Sequence, residues 1–514
     1  MVTDNEPRDD ALAEGLDGEA EAGDRPSIFD REDLNGDSGP SFAAAAPLGE
    51  DGDSISATLK SVAATLEAED GAPAPLPREA SLYPSQPRTL SEVGLSKAFL
   101  TDLTLKIMHY SGTPSTGQLM RRLGLGQSLV QQILASLQED RLCEVLSQSD
   151  LYTGNYRYRL SERGTSRVNE ALERTRYAGP APVTAEQYAD VMREQQMHRA
   201  TPSRSHIKEM LDQFVLAPAV ADAIARSLYS GKTTLLYGPS GNGKTCVLDR
   251  FAKSLEGTVL VPYAIYAYGQ VIRVFDPSIH EPIEDEEDRN ATKDDARLDR
   301  RWILVRRPAI FLGSEVGLES LDLAYDPQSR FYQAPPHVKA QGGVLVVDDL
   351  GRQKSDSHEL MARWLIPVER GWDSLSLNTG EKLTIPFDVQ LLFGTNQPMD
   401  QLVDDALLRR ILYKVEMPSP GPDEFGEILR QLCEQRKVQA PKGAVERVVK
   451  RFYSELGENP RAAYARDILD VIVEGAAYDG VEPVLDEESF ERAYNLFLSQ
   501  QNGGQQNGHP PQAD

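Results

Sequence analysis

The chain has 514 residues, 26% of them charged, with a formal net charge of −26 and a sequence pI near 4.8. That length exceeds what one core holds and calls for two or three folded units plus tails. The acidity argues against non-specific adhesion of the whole molecule to nucleic acid or membrane. No signal peptide and no apolar run of membrane-spanning length is seen, so a soluble, cytoplasmic protein with no membrane insertion is expected.

Residues 1–90 carry 20 acidic and 6 basic side chains, roughly half of the whole excess. They are rich in Asp, Glu, Ala, Gly, Pro and Ser and are expected to form a disordered acidic tail. Within it, Ile55 to Leu66 has the pattern of a short helix that would form on a partner. Three cysteines (Cys143, Cys246, Cys433) stand far apart in no metal spacing and read as reduced thiols.

From Leu95 the pattern changes. Phe99 to Tyr110 has helical spacing, Ser115 to Leu123 starts at a Ser/Thr cap, and Gly126 to Leu142 puts Leu129, Ile133, Leu134 and Leu137 on one face. Cys143 to Leu146 and Tyr156 to Leu160 read as short strands around a polar turn, Ser149 to Asn155, and a last helix runs through about Leu172. Over residues 91–176 this order resembles a winged helix-turn-helix, with Tyr158-Arg159-Leu160-Ser161 followed by Gly164 as the exit from its wing. DNA binding does not follow from such a fold. The candidate recognition helix shows Gln127, Ser128, Gln131 and Gln132, with no Lys or Arg before Arg141. Arg121, Arg122, Arg157 and Arg159 are available for phosphates, yet the unit's net charge is only about +2. Protein docking is therefore placed ahead of DNA contact.

Residues 177–205 read as a linker containing a polar helix, and Ile207 to Tyr229 as two apolar-periodic helices. Then comes Leu235-Leu236-Tyr237-Gly238-Pro239-Ser240-Gly241-Asn242-Gly243-Lys244-Thr245-Cys246: an apolar strand, a glycine loop and a helix continuing through Val247, Leu248 and Phe251. In that context G-x-x-x-x-G-K-[ST] is a phosphate-binding loop. Its glycines let successive N–H groups face phosphate oxygens, and the helix adds its positive end. Lys244 would contact the β/γ-phosphates of ATP and Thr245 would hold Mg²⁺.

Ile279 to Arg301, with Glu284 to Asp288, reads as an acidic insertion and a solvated loop. Phe331-Tyr332 is weighed as a pore-facing pair against the commoner core reading. Gly342 to Asp349 is a continuous apolar strand ending in two acids. As a Walker B element it would use Asp348 to hold Mg²⁺ and Asp349 to polarise the attacking water, with Glu315 next in line as base. Val389 to Asn396 is a second buried strand, whose Asn396 would orient that water. Asp404 to Ile411 reads as a short helix carrying Arg409 and Arg410, a pair suited to reaching a neighbouring subunit's site. His280, His337 and His358 are scattered and make no metal set.

The motif order resembles the AAA+ ATPases over Ile207 to Leu498, and within them the MoxR-type branch. The features carrying the latter are a helix from Leu360 to Glu369, a hairpin from Leu375 to Ile385 around Asn378-Thr379-Gly380, and Pro386-Phe387 before the sensor strand. Asp349-Leu350-Gly351-Arg352 is similar to that branch's acid-x-Asn-Arg run, with Gly351 in place of Asn. The resemblance implies an α/β P-loop parallel sheet over 206–417 and a helical lid over 418–499, with 500–514 a disordered tail. It also implies a hexameric homo-oligomer, arginine fingers at Arg409 and Arg410, and a sensor 2 arginine. For the last, Arg466 fits better than Arg461, and both are kept. AAA+ proteins usually carry Asp-Glu in Walker B; Asp-Asp here implies slow hydrolysis or a shifted water.

The sequence thus points to an ATP- and Mg²⁺-dependent remodelling or chaperone-like ATPase acting on an unidentified protein client. The rival readings are an ATP-switched DNA-binding regulator and an assembly scaffold that binds ATP and barely hydrolyses it.

Overall fold

A computed structural model describes residues 84–148, 156–197, 201–283, 298–402, 408–456 and 459–502. The expectations for the acidic tail up to residue 83, for Ile55 to Leu66, for the turn Ser149 to Asn155, for Glu284 to Asp288 and for the last twelve residues lie outside them.

Five strands form the central sheet: β1 (Thr234–Tyr237), β2 (Ala309–Leu312), β3 (Val344–Val347), β4 (Gln390–Thr395) and β5 (Tyr413–Glu416). All pair in parallel, in the order β5-β1-β4-β3-β2. The inner strands are buried and mostly apolar because both faces are covered, with Thr234, Gln390 and Thr395 as buried polar exceptions. Successive side chains point to opposite faces. Leu236, Val344, Val346 and Leu392 meet Ile207, Leu228, Val247 and Phe251 of the helices Arg204–Leu211, Pro218–Ser230 and Lys244–Lys253. Leu235, Leu345, Val347, Leu391 and Phe393 meet Leu360, Met361, Trp364 and Leu365 of the helix Ser357–Arg370. The result is a three-layer α/β fold whose strands all end on one side. After β5 the chain enters a helical lid: Pro422–Arg436, Ala444–Lys450, Ala462–Asp479 and Glu487–Asn502. Its centre is Phe452, fully buried, with the rings of Phe425, Phe490 and Tyr494 within 6 Å.

Ahead of the sheet, helices Lys97–Ser111, Thr116–Leu123 and Gln127–Glu139 are followed by the antiparallel strands Cys143–Gln148 and Tyr156–Leu160 and the helix Glu162–Arg174. Ser96, Ser115 and Ser161 cap three of these helices. The helix Ala185–Met197, expected as part of a polar linker, buries Tyr188, Val191 and Met192.

A second, mixed sheet was not anticipated. It runs Ala324–Asp326, Phe331–Gln333, Gln270–Arg273, Ala264–Ala267, Val183–Thr184, and beside it Thr258–Pro262 pairs with Trp302–Arg306. Its Ala264 and Val271 share a core with Leu103, Leu123 and Tyr177, joining it to the N-terminal helices. This corrects two expectations. The end of the acidic insertion is not a solvated loop: Asp299 and Arg301 form a buried pair 2.7 Å apart, and Arg301 also donates to the Val93 carbonyl. The pore reading of Phe331-Tyr332 also falls, because both lie on a strand of this sheet. Tyr332 is only 2% exposed, and its hydroxyl accepts from Asn378 N in the turn of the hairpin Trp372–Ser376/Lys382–Pro386.

Candidate functional site

The site is assembled where β1, β3 and β4 end. Beyond Tyr237 the chain turns through Gly238, Gly241 and Gly243, all at positive φ, and enters the helix at Lys244. At Gly238 the need for glycine is doubled: φ is 134°, and a Cβ would come within 2.4 Å of the Met417 carbonyl at the exit of β5. Lys244 is 5% exposed, and its Nζ donates to the carbonyls of Gly238 and Pro239 at 2.8 Å each. Burial lowers its pKa, with the charges of Asp348 and Asp349 opposing the shift and Arg461 adding to it. A buried ammonium whose hydrogen bonds, among the described residues, go to its own loop's carbonyls is poised for an anion. Pro239, Ser240, Gly241, Thr245 and Cys246 are exposed around it.

Thr245 Oγ1 donates to Asp348 Oδ2 at 2.7 Å, which brings the loop helix and the end of β3 together. A hydroxyl and a carboxylate at one spot are hard oxygen donors and fit Mg²⁺, which keeps waters for its remaining positions. The next residue, Asp349, has φ 49°, a left-handed conformation that costs on the order of 1–3 kcal/mol outside glycine. Its Oδ1 accepts from Asn396 Nδ2 at 2.6 Å. Gly394 on β4 makes room for the first acid: a Cβ there would lie 2.6 Å from Asp348 Oδ1. Glu315 stands three residues beyond β2, exposed, and its carboxylate accepts from Gly313 N at 3.0 Å; that bond holds it below the usual range.

The lid touches the loop directly. Ala463 N donates to the Gly241 carbonyl at 2.9 Å, and Ala462 N to Asn242 Oδ1 at 3.2 Å. Arg461 precedes these residues, close enough that a Cβ on Gly241 would lie 3.7 Å from its Cδ. Arg466 is turned to solvent and paired with Asp467 at 2.9 Å. Of the two sensor 2 alternatives, the geometry brings Arg461 to the loop and leaves Arg466 outside it.

Arg409 and Arg410 are exposed in the turn that follows the helical Leu408, just before β5; residues 404–407 of the helix expected over Asp404 to Ile411 lie outside the described residues. Arg410 pairs with Glu369 at 2.9 Å, and among the described contacts neither arginine reaches the loop of its own chain. The histidines serve separate purposes. His280 is buried between Asp276 N and the Lys339 carbonyl, and His337 lies 2.8 Å from Asp373.

Three features escape sequence reasoning. A cavity beside Asn242 is lined by Val215, Leu216, Val220, Met417, Ile428 and Ala462, which come from three distant segments. Arg363 and His337 converge on the buried Asp373 at the base of the hairpin. Gln353 and Gln397 brace the turn after β3.

A family model described as a domain of unknown function (DUF8689) matches residues 421–496, within the lid. No curated protein matches the chain. Among solved structures it is similar to the RuvB Holliday junction branch migration motor of Thermotoga maritima, at 14% identity over 56% of this chain and 71% of that one, TM-score 0.32. It is also similar to NtrX from Brucella abortus in complex with ATP, at 10% identity over 67% of this chain and 69% of that one, TM-score 0.32. The fold described above stands on the strand order and loop geometry of this chain itself.

Proposed function

We propose that the chain is an ATPase of the AAA+ class that couples hydrolysis of Mg-ATP to remodelling of a protein partner. The observation that carries this reading is the convergence at one end of the sheet. The buried Lys244, the Thr245–Asp348 contact, the Asp349–Asn396 contact and Arg461 of the lid all meet around the glycine loop. Such a set has little covalent chemistry to perform; it positions and neutralises.

In this reading Lys244 exchanges its carbonyl contacts for β/γ-phosphate oxygens. The cavity of Val215, Leu216, Met417 and Ile428, with Asn242 and Glu424 in its wall, takes the base. Thr245 and Asp348 would hold Mg²⁺, which supplies charge neutralisation at the phosphates when bound. Asp349, through the carboxylate oxygen that Asn396 does not hold, orients the attacking water and draws its proton. Arg461 follows the state of the γ-phosphate and passes it to the lid through Ala462 and Ala463. Arg409 and Arg410, unused by their own site, serve that of a neighbour in a ring, and the N-terminal unit acts as a winged-helix adaptor.

The test is retention of a partner by the Asp349→Asn chain, which should bind ATP and turn it over at only a small fraction of the parent's rate. Retention of a protein with ATP and its release with ADP support the reading. Duplex DNA bound with a steep salt dependence, and no protein retained, would instead favour the ATP-switched regulator.

A further inference from the structure

Gln353 lies four residues past Asp349, outside every motif read from the sequence. Its side-chain amide is fully engaged by the turn that carries the two acids. Nε2 donates to the carbonyls of Asp348 at 2.9 Å and Asp349 at 3.2 Å, and Oε1 accepts from Gly351 N at 2.8 Å. Among the described residues it is the side chain whose amide reaches the carbonyls of both acids. The turn it closes includes the left-handed Asp349 (φ 49°) and Gly351 (φ 101°). The far side is tied to β4, where Leu350 N donates to the Gly394 carbonyl at 2.8 Å and Thr395 Oγ1 to the Leu350 carbonyl at 2.9 Å.

We infer that Gln353 is a positioning residue for hydrolysis: it locks the peptide planes of Asp348 and Asp349 and so aims the Asp349 carboxylate at the attacking water. The inference rests on the proposed role of Asp349. A short acid has less reach than Glu, so its direction must be set by the backbone. The backbone conformation it uses is one an aspartate leaves unless held. Gln353 holds the backbone of the turn, while Asn396 grips the carboxylate itself. Its amide is suited because both functions are needed at once, two donations to carbonyls and one acceptance from an amide.

The experiment is a double-mutant cycle on the full chain. Gln353→Met keeps the length and loses all three hydrogen bonds. Gln353→Glu keeps the acceptor and loses both donors. For each, ATP affinity, kcat and KM are measured beside Asp349→Asn and the two double variants. The expected result is a fall in kcat of at least tenfold for either Gln353 variant, with ATP affinity within about twofold and the chain still folded at the assay temperature. In the Asp349→Asn background the same substitutions should cost no more than about twofold, because their target is gone. Parent-like kcat in the Gln353 variants overturns the inference while leaving the reading of Asp349 in place. So does a full, additive loss on top of Asp349→Asn, which marks a merely structural role. If Asp349→Asn itself turns over like the parent, the reading of Asp349 falls, and this inference with it.

Discussion

Asn396 Nδ2 lies 2.6 Å from Asp349 Oδ1, so the residue that follows β4 grips the second acid that follows β3. Parallel neighbours in the sheet deliver both to the same edge, since Val347 is registered with Phe393. The contact engages one oxygen of Asp349, and on the proposed reading the other faces the attacking water.

Asp349→Asn should therefore keep ATP affinity and lose about 10²-fold or more of turnover, the range typical of a positioned base. Asp349→Glu should hold or raise the rate, since the extra methylene brings the carboxylate closer to the water. Steady-state hydrolysis beside equilibrium binding reads both. Parent-like turnover in the Asn variant would transfer the role elsewhere, with Glu315 the first to examine.

Arg461 and Arg466 should separate cleanly. Arg461→Ala is expected to lower turnover by about tenfold or more, because it removes the lid's cation beside the loop. Arg466→Ala removes only an exposed pair with Asp467 and should stay within about twofold. The reverse ranking in side-by-side assays would move the sensor to Arg466.

Arg409 and Arg410 are expected to act on a neighbour. A Lys244→Ala chain mixed with an Arg409→Ala/Arg410→Ala chain should regain part of the parent's hydrolysis, since some interfaces then hold one intact half from each. No recovery at any mixing ratio, with mixed assemblies verified by pull-down of differently tagged chains, would rule out action in trans.

Acid stability reports on the hairpin's anchor. Burial would raise the Asp373 pKa, but the His337 ring and the Arg363 guanidinium outweigh it and bring the group down to about 2. The folded value lies below the unfolded one, so the stabilisation is present above about pH 4 and is lost as pH falls toward 2. Asp373→Asn should be clearly less stable than the parent at pH 7, with the gap narrowing below pH 4. Urea unfolding across that range measures it, and a gap constant with pH would contradict the assignment.

What was legible in the chain was what local pattern encodes. The glycine loop, the two buried strands ending in acids and in Thr395-Asn396, and the hairpin turn at Gly380 each announce themselves within a dozen residues. The second sheet did not. Its strands are three to five residues long or shorter, and Val183–Thr184 lies about eighty residues from its partner Ala264–Ala267, so no periodicity accumulates. Arg461 and Arg466 look alike in sequence, each an arginine at or near the start of the helix Ala462–Asp479. Only the docking of Ala462 and Ala463 on the loop separates them. Gln353 was invisible for a related reason: its partners are backbone atoms, which every residue has.

On the proposed reading the glycine loop binds ATP through Lys244 for hydrolysis at the β3 acids. The most direct measurement is Mg-ATP binding by titration calorimetry, with phosphate release, for the parent and for Lys244→Ala. Removing a buried ammonium that only its own carbonyls satisfy should leave the chain folded, as circular dichroism will show. The parent should bind Mg-ATP and release phosphate, and the folded variant should do neither. Equal affinity and equal phosphate release in both would contradict that reading.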